Sequence, residues 1–206
     1  MTSPYEEVFG DTLDSLHPRL RAYFGEIPRG SIGMGAGVLD VVGTPRRWLW
    51  PVLRVLAAES IMFPEWQRGV PFTVVNTPIV DARGNTAVYA VRTFHFVSGD
   101  RQMIDTISAE PYSLMDRLGQ ARALIAALSA TVVNGELRMT STTLAVRIGC
   151  ARIRIPRTIA PIVTLVERFD DATGLQHVSV VVDAPIIGRI YEYSGSFSYE
   201  LRPGKS

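Results

Sequence analysis

The first pattern in this chain that could support chemistry is a charged side chain in an apolar row. Residues 86–108 are typical of two strands around a turn, and side chains along a strand alternate between its two faces. One face of the first strand therefore carries Val88, Ala90, Arg92, Phe94 and Phe96. A charge on an inward face is costly to bury alone, so Arg92 belongs either to a structural ion pair or to a ligand site.

The following strand supplies a partner for this arginine. If the turn falls at residues 99–100, Phe94 lies opposite Asp105. Arg92 and Asp105 are then diagonal neighbours on one face, within reach of a long side chain. A guanidinium is planar and always charged, which suits a fixed anchor that polarises a carbonyl. We therefore predict that Asp105 orients Arg92 in the interior.

Other side chains could complete such a site. Glu59 and Glu65 flank an apolar segment, 61–63, and a carboxylate beside apolar groups can act as an acid or base. The alternative is that both are ordinary carboxylates of a helix end and a loop. We predict Glu65 or Tyr193 as the acid–base partner of Arg92 and Asp105. The substrate-binding residues that we predict are Phe94, Phe96, Met103, Trp48 and Glu59.

The sequence contains no complete motif for binding a cofactor or a metal ion. Residues 33–37, Gly-Met-Gly-Ala-Gly, hint at a dinucleotide fingerprint, but that motif needs a helix after it, and β-branched residues follow here. We interpret the segment as a glycine-rich strand. The histidines His17, His95 and His177 lie in unrelated segments, and the chain has one cysteine, Cys150. We therefore expect no metal and no cofactor.

Four arginines cluster around a predicted turn at residues 149–150. They are Arg147, Arg152, Arg154 and Arg157. The cluster is either a solvated sheet face or a contact for an anion or a carrier protein. The net charge of the whole chain is only +1, which offers no general attraction to nucleic acid.

The elements that must position these residues are mostly strands. The predicted strands are 31–42, 72–80, 86–97, 101–109, 124–133, 136–148, 151–155, 159–169, 175–184 and 189–201. Asn134-Gly135 is a strong two-residue hairpin signal. Segment 120–130 could equally be helical, but it leads straight into that turn, so we assign it to a strand. We interpret 111–119 as a short helix or loop.

The fold class follows from this order of elements. We predict a mainly β (α+β) single domain over 1–206, a curved antiparallel sheet or β-barrel of about nine or ten strands. A helix near 45–60 caps it. Residues 1–30 form an N-terminal helical arm, interrupted at Pro18, and 203–206 form a tail.

Composition limits the setting of the protein. No apolar run reaches the ~18 residues that span a bilayer, so we expect no membrane partner. The acidic N-terminus has no apolar stretch of a signal peptide, and a single cysteine fits a cytoplasmic protein. The mean hydropathy of +0.15 indicates a large apolar interior, an apolar pocket or an oligomer interface such as that of a homodimer.

Ten short motifs are spread in order over nearly the whole chain. They are Leu16-His17-Pro18, Arg47-Trp48, Phe63-Pro64-Glu65, Val70-Pro71-Phe72, Arg92-x-Phe94-x-Phe96, Met103-Ile104-Asp105, Leu118-Gly119, Gly135-Glu136-Leu137-Arg138, Pro185-Ile186-Ile187-Gly188 and Tyr193-x-Gly195. With these motifs the chain resembles the bacterial family called domain of unknown function 4166, which is uncharacterised and lends no catalytic residues. Some members look like C-terminal companions of oxidoreductase domains, which implies a role as an interaction domain.

Together these features favour a cofactor-independent enzyme. It would bind a hydrophobic small molecule, polyketide- or lipid-like, in a barrel cavity and act as a cyclase or isomerase, because such reactions can run on shape and a few polar groups. The alternatives are a non-catalytic small-molecule binding protein and an interaction domain that partners an oxidoreductase.

Overall fold

The protein forms a closed antiparallel β-barrel of ten strands with one extra strand outside the ring. The computed structural model describes residues 2–111 and 113–204. The strands of this described part are β1 (Ser31–Gly43), β2 (Trp66–Val80), β3 (Thr86–Phe96), β4 (Gly99–Glu110), β5 (Ser113–Leu118), β6 (Leu124–Val133), β7 (Glu136–Ile148), β8 (Ala151–Arg154), β9 (Ile162–Asp170), β10 (Leu175–Ala184) and β11 (Gly188–Pro203). The mainly β fold that the sequence predicted is confirmed.

The ring follows the chain almost in sequence. Strands β1 to β6 pair as successive neighbours, β6 pairs with β7, and β7 passes to β9, β10 and β11. Pairing of β11 with β1 closes the ring. Strand β8 lies outside the ring and pairs with the second half of β7. A closed antiparallel sheet leaves its strands no free edges.

Local sequence explains several boundaries. Strands β6, β7 and β10 begin and end where the alternation predicted. Asn134 and Gly135 have φ values of 52° and 80°, the left-handed conformations that a two-residue hairpin turn needs. The glycine-rich segment is strand β1, as interpreted. A Cβ atom added at Gly37 would lie 2.1 Å from the Ser196 carbonyl oxygen, so this position needs glycine.

The assignment of 111–119 to a helix or loop is wrong, because residues 113–118 form strand β5. The strand pairs with β4 on one side and with β6 on the other. The strand is only six residues long, which obscured the alternation that turns Leu114, Asp116 and Leu118 toward the interior. The neighbouring strands on both sides decide the conformation here.

The hairpin between β3 and β4 also turns earlier than predicted. Phe96 pairs with Gly99, so the loop is Val97-Ser98. Gly99 begins β4 with a φ of +116°, which a residue with a side chain rarely adopts. The pairing is displaced by four residues from the predicted register, and Phe94 faces Arg101 rather than Asp105. An even displacement keeps every side chain on its predicted face.

The N-terminal arm, residues 2–27, covers one end of the barrel. It contains helix α1 (Pro4–Phe9), a 3-10 turn (Gly10–Ser15) and helix α2 (Pro18–Phe24), so Pro18 separates two pieces as predicted. Ser3 caps α1, and its hydroxyl also donates to the Phe24 carbonyl. The His17 amide donates to the Gly135 carbonyl in the β6–β7 turn at 3.1 Å. We call this end the arm end.

The segment 44–65, the lid, covers the opposite end. It contains a 3-10 turn (Arg47–Leu49) and helix α3 (Trp50–Ala58), so the predicted capping helix is confirmed. Leu53 of the helix packs into the core, and Ile61 and Phe63, which follow the helix, are each 1% exposed. The Ile104 amide of β4 donates to the Ser60 carbonyl at 2.9 Å, which fixes the lid to the barrel wall.

The core lies between the two covers. Phe63 of the lid meets Phe94 and Phe96 of β3, with ring centroids 5.4 and 6.1 Å away. Phe94 also packs edge-on against Tyr193, at 5.8 Å. This aromatic cluster fills the interior beside β2 and β3 and leaves the opposite half of the barrel less tightly filled.

Candidate functional site

An ion pair stands on the inner wall of the barrel. Arg92 Nη1 of β3 donates to Asp105 Oδ1 of β4, and their side chains are 14% and 3% exposed. Arg92 pairs with Met103 across the two strands, so Asp105 is its diagonal neighbour. The predicted interior contact between Arg92 and Asp105 is therefore confirmed, through a different register.

A second carboxyl continues the diagonal onto the next strand. Asp116 of β5 pairs with Ile107 of β4, two residues beyond Asp105 on the same face. Arg92, Asp105 and Asp116 thus step across three neighbouring strands; we call them the polar triad. Asp105 Oδ2 and Asp116 Oδ1 are buried and accept no hydrogen bond from any group in residues 2–111 and 113–204. Both oxygens remain available to a ligand or to water.

Burial separates the two carboxyls from ordinary surface acids. Desolvation raises the pKa of Asp116 from 3.8 to about 7, although Arg92 and Arg117 oppose the shift. Burial also raises the pKa of Tyr193, again against the pull of Arg92. Burial disfavours the charged form of Arg92, but nearby Tyr193, among other groups, outweighs it and raises the pKa of Arg92. The guanidinium stays charged while Asp116 titrates near neutral pH.

The polar triad lines a largely apolar cavity of about 90 Å³. That is several times the ~10–15 Å³ that a single water needs. Its other walls come from β4 to β7 and from β9 to β11, and Ile61 and Met62 of the lid close it. Small-molecule sites are typically apolar with a few convergent polar groups. The arrangement can hold a small apolar molecule with a polar group directed at Arg92.

Two further predicted residues belong to this cavity. Met103 and Tyr193 line it together with Arg92 and Asp105. Phe94 and Phe96, predicted to contact the substrate, instead pack in the aromatic cluster under the lid and do not line the cavity. Their face was predicted correctly, but the lid residue Phe63 occupies the space in front of them.

The three candidates from the lid lie away from the cavity. Glu65 Oε1 accepts a hydrogen bond from Ser98 Oγ at 2.8 Å in the β3–β4 loop. Glu59 Oε2 accepts from the Ala121 amide at 3.2 Å. Trp48 is 60% exposed. The two carboxylates fasten lid to barrel because the apolar residues between them, Ile61 to Phe63, take the inward positions.

Asp116 is the site residue that the sequence reasoning missed. The signal was present in 114–118, Leu-Met-Asp-Arg-Leu, which alternates with a period of two around a central acid. The run is only five residues long, and a period-two pattern of that length does not exclude a loop.

A separate buried carboxyl lies toward the arm end. Glu167 of β9 is 3% exposed and accepts a hydrogen bond from Gln176 of β10. Burial raises the pKa of Glu167 to about 8, while Gln176 and then Arg92 oppose the shift. At neutral pH this carboxyl is mostly protonated.

Within the described ranges, no three His, Cys, Asp or Glu side chains converge as a metal-holding group. Gly33, Gly35 and Gly37 of β1 pack closely against residues of β11 and, at Gly35, also against Val74 of β2. None of the helices in the described part of the chain is both long and apolar enough to cross a membrane.

The fold and its cavity define a ten-stranded antiparallel barrel, covered at both ends, with the polar triad inside. Comparison with known proteins shows the family to which the chain belongs. Residues 16–197 match the model of the family described as Domain of unknown function (DUF4166), and the chain belongs to that family. It is also similar to the "Uncharacterized protein YndH" of Bacillus subtilis (strain 168), with 23% identity over 191 residues, 91% of this chain and 92% of that protein. No solved structure matches the chain.

Proposed function

We propose that the protein is a cofactor-independent enzyme that moves a proton on a small, mainly apolar carbonyl compound, as an isomerase or cyclase. The observation that carries the proposal is Asp116, a carboxyl buried beside a fixed guanidinium in an apolar cavity. General acid–base catalysis works best when the pKa of the group is near the operating pH. The pKa of Asp116, about 7, meets that condition.

The three members of the triad take different roles in this proposal. The carbonyl oxygen of the substrate accepts a hydrogen bond from Arg92, which Asp105 holds in place. The Asp116 carboxylate removes a proton from the carbon next to the carbonyl, and the electron pair moves onto the carbonyl oxygen. Arg92 stabilises the resulting enolate, an effect commonly worth 10²–10³-fold in rate.

The reaction closes without any other reagent. In an isomerisation, the substrate is a β,γ-unsaturated ketone, the first step gives a dienolate, and protonated Asp116 returns its proton to the γ-carbon, which moves the double bond into conjugation with the carbonyl. In a cyclisation, the enolate carbon attacks a second carbonyl of the same molecule, and the new alkoxide takes the proton from Asp116. Tyr193 lines the cavity and is a further hydrogen-bond donor for either oxygen.

Hydrogen exchange at a ketone tests the first step without knowledge of the natural substrate. Cyclohexanone in deuterated buffer exchanges its α-hydrogens, which proton NMR follows directly. We expect the wild-type protein to accelerate this exchange with an inflection near pH 7. Asp116→Asn removes the base and should lower the rate at least ~100-fold; Arg92→Lys keeps the charge but loses the planar donor pair and should lower it about tenfold or more.

The matched control is Asp183→Asn, because Asp183 is half exposed on β10 and lies outside the cavity. The proposal is wrong if wild type and Asp116→Asn exchange the ketone at equal rates. Saturation-transfer NMR on the same samples reports binding. Cyclohexanone that binds without exchanging would favour the alternative, a non-catalytic binding protein.

A further inference from the structure

The barrel wall splits along one seam. Strand β7 pairs with β9 only from Leu137 to Thr140, and from Ala145 onward it pairs with β8 instead. Between these stretches a side chain replaces the backbone ladder, since the Ser141 hydroxyl accepts from the Val163 amide at 2.9 Å. The β7–β9 seam, with four residue pairs, is therefore the shortest ladder of the ring.

A groove of about 620 Å³ lies outside this split, between β7 and the loop 155–161. Leu144 lines both this outer groove and the inner cavity. Ile162 lines the groove, and the next residue, Val163, lines the cavity. A wall one side chain thick thus separates the two spaces. We call this thin wall, Leu144 with Ile162 and Val163, the side wall.

The charged residues in the segment that forms the groove are all positive. The 30 residues 137–166 contain five arginines and no acidic residue, whereas the rest of the chain has sixteen basic and twenty acidic residues. Arg154 and Arg157 line the groove itself. Charges of one sign at the mouth of a cleft raise the local concentration of ions of the opposite sign.

We propose that the side wall is the portal through which the ligand reaches the cavity, and that the ligand is an amphipathic acid. Its apolar part passes Leu144 into the barrel, while a carboxylate or phosphate stays in the groove between Arg154 and Arg157. The inference rests on the proposed function, because it assigns a substrate class and a route to the same cavity. It explains how a barrel covered at both ends can admit a ligand.

Octanoate and 1-octanol test the charged group, because they share an eight-carbon chain and differ in the anion. Isothermal titration calorimetry at pH 8 should give at least tenfold tighter binding of octanoate to the wild type. In R154Q/R157Q the preference should fall below threefold, with octanol affinity unchanged. The control R138Q/R152Q removes the same charge from exposed positions outside the groove and should keep the preference.

The route is tested by exchange kinetics. The line width of the carboxyl carbon of [1-¹³C]octanoate reports how fast it moves between free and bound forms. We expect Leu144→Ala to speed this exchange at least fivefold. The control Leu137→Ala should leave it within twofold, because Leu137 is a buried leucine of the same strand that lines neither the cavity nor the groove.

The outcomes separate the inference from the function. Equal binding of octanoate and octanol, or equal losses in the two arginine variants, would overturn the anionic ligand. Equal exchange rates in the two leucine variants would overturn the portal. If the protein catalyses hydrogen exchange of cyclohexanone but fails these tests, the proposed function stands and the inference is wrong. If it binds neither octanoate nor octanol, both the portal and the amphipathic acid ligand are ruled out.

Discussion

Arg92 shares the cavity with two carboxyl groups, Asp105 and Asp116, which lie in different environments. Asp105 is bonded to the guanidinium, whereas Asp116 is desolvated enough to titrate near neutral pH. Acid and base roles in enzymes often arise in this way, from similar groups in unlike environments. In the proposed reaction, Asp105 is therefore a positioning residue, and Asp116 is the group that moves a proton.

Loss of Asp105 leaves a buried charge without its partner. We expect Asp105→Ala to lower the free energy of unfolding by about 3–5 kcal/mol, measured by urea denaturation at pH 7. The control Asp183→Ala removes a half-exposed carboxylate and should change stability by less than ~1 kcal/mol. Equal effects of the two substitutions would mean that Asp116 compensates Arg92 fully.

Glu167 should make stability depend on pH. Burial raises its pKa from 4.5 to about 8, so the folded state keeps a proton that the unfolded chain releases. The free energy of unfolding therefore falls as pH rises between these values, by at most ~1.4 kcal/mol per pH unit. Glu167→Gln should be about 1–3 kcal/mol more stable than wild type at pH 9 and nearly equal to it at pH 5.

Urea denaturation at the two pH values measures this difference. Glu136→Gln is the matched control, because Glu136 is exposed at the start of β7 and should show no gain at pH 9. A Glu167→Gln protein less stable than wild type at pH 9 would contradict the assignment of a protonated carboxyl.

At the scale of elements, glycine determines how closely β1 approaches its neighbours. Added Cβ atoms would meet backbone at Gly37, only 2.5 Å from Phe197 Cα, but only the Tyr199 side chain at Gly33. A half-buried tyrosine ring can rotate away, whereas a paired strand cannot. The same substitution should therefore differ in effect along one strand.

We expect Gly37→Ala to lower the free energy of unfolding by about 3 kcal/mol or more, because overpacking forces β1 from β11. Gly33→Ala should lower it by less than half as much. Thermal and urea denaturation of both variants provide the comparison. A Gly33 variant as unstable as the Gly37 variant would show that Tyr199 cannot yield.

Strand periodicity explains which parts of the site were predictable from sequence. Arg92 and Asp105 were found because a register displaced by an even number of residues leaves each side chain on the same face of the sheet. Asp116 was lost because β5 owes its conformation to β4 and β6, and no short sequence encodes distant partners. Glu65 was misplaced because the path of the lid depends on Phe63 filling the barrel end.

At the scale of the whole molecule, the ring and its extra strand differ in protection. Ten strands have neighbours on both sides, while β8 pairs only with β7 within the described residues and is exposed along its length. Local opening is easiest where backbone hydrogen bonds are solvent-exposed and few apolar contacts hold them.

Amide hydrogen exchange followed by mass spectrometry should resolve this difference. We expect peptides covering β8 to exchange at least ~100-fold faster than peptides covering β10, which lies between β9 and β11 in the ring. Fast exchange throughout β10 would contradict a closed barrel. Slow exchange in β8 would mean that another surface covers this strand.

The pairing of β1 with β11, which closes the ring, can form only late in the synthesis of the chain. β1 pairs with β11 from Ser31 with Pro203 to Gly43 with Glu192, so nearly the whole chain separates the partners. At ~5–20 residues per second, the roughly 150 residues between them take on the order of 8–30 s to translate. Throughout that interval the glycine-rich edge of β1 that will pair with β11 stays unpaired in the nascent chain. A premature stop before β11 leaves that edge open permanently.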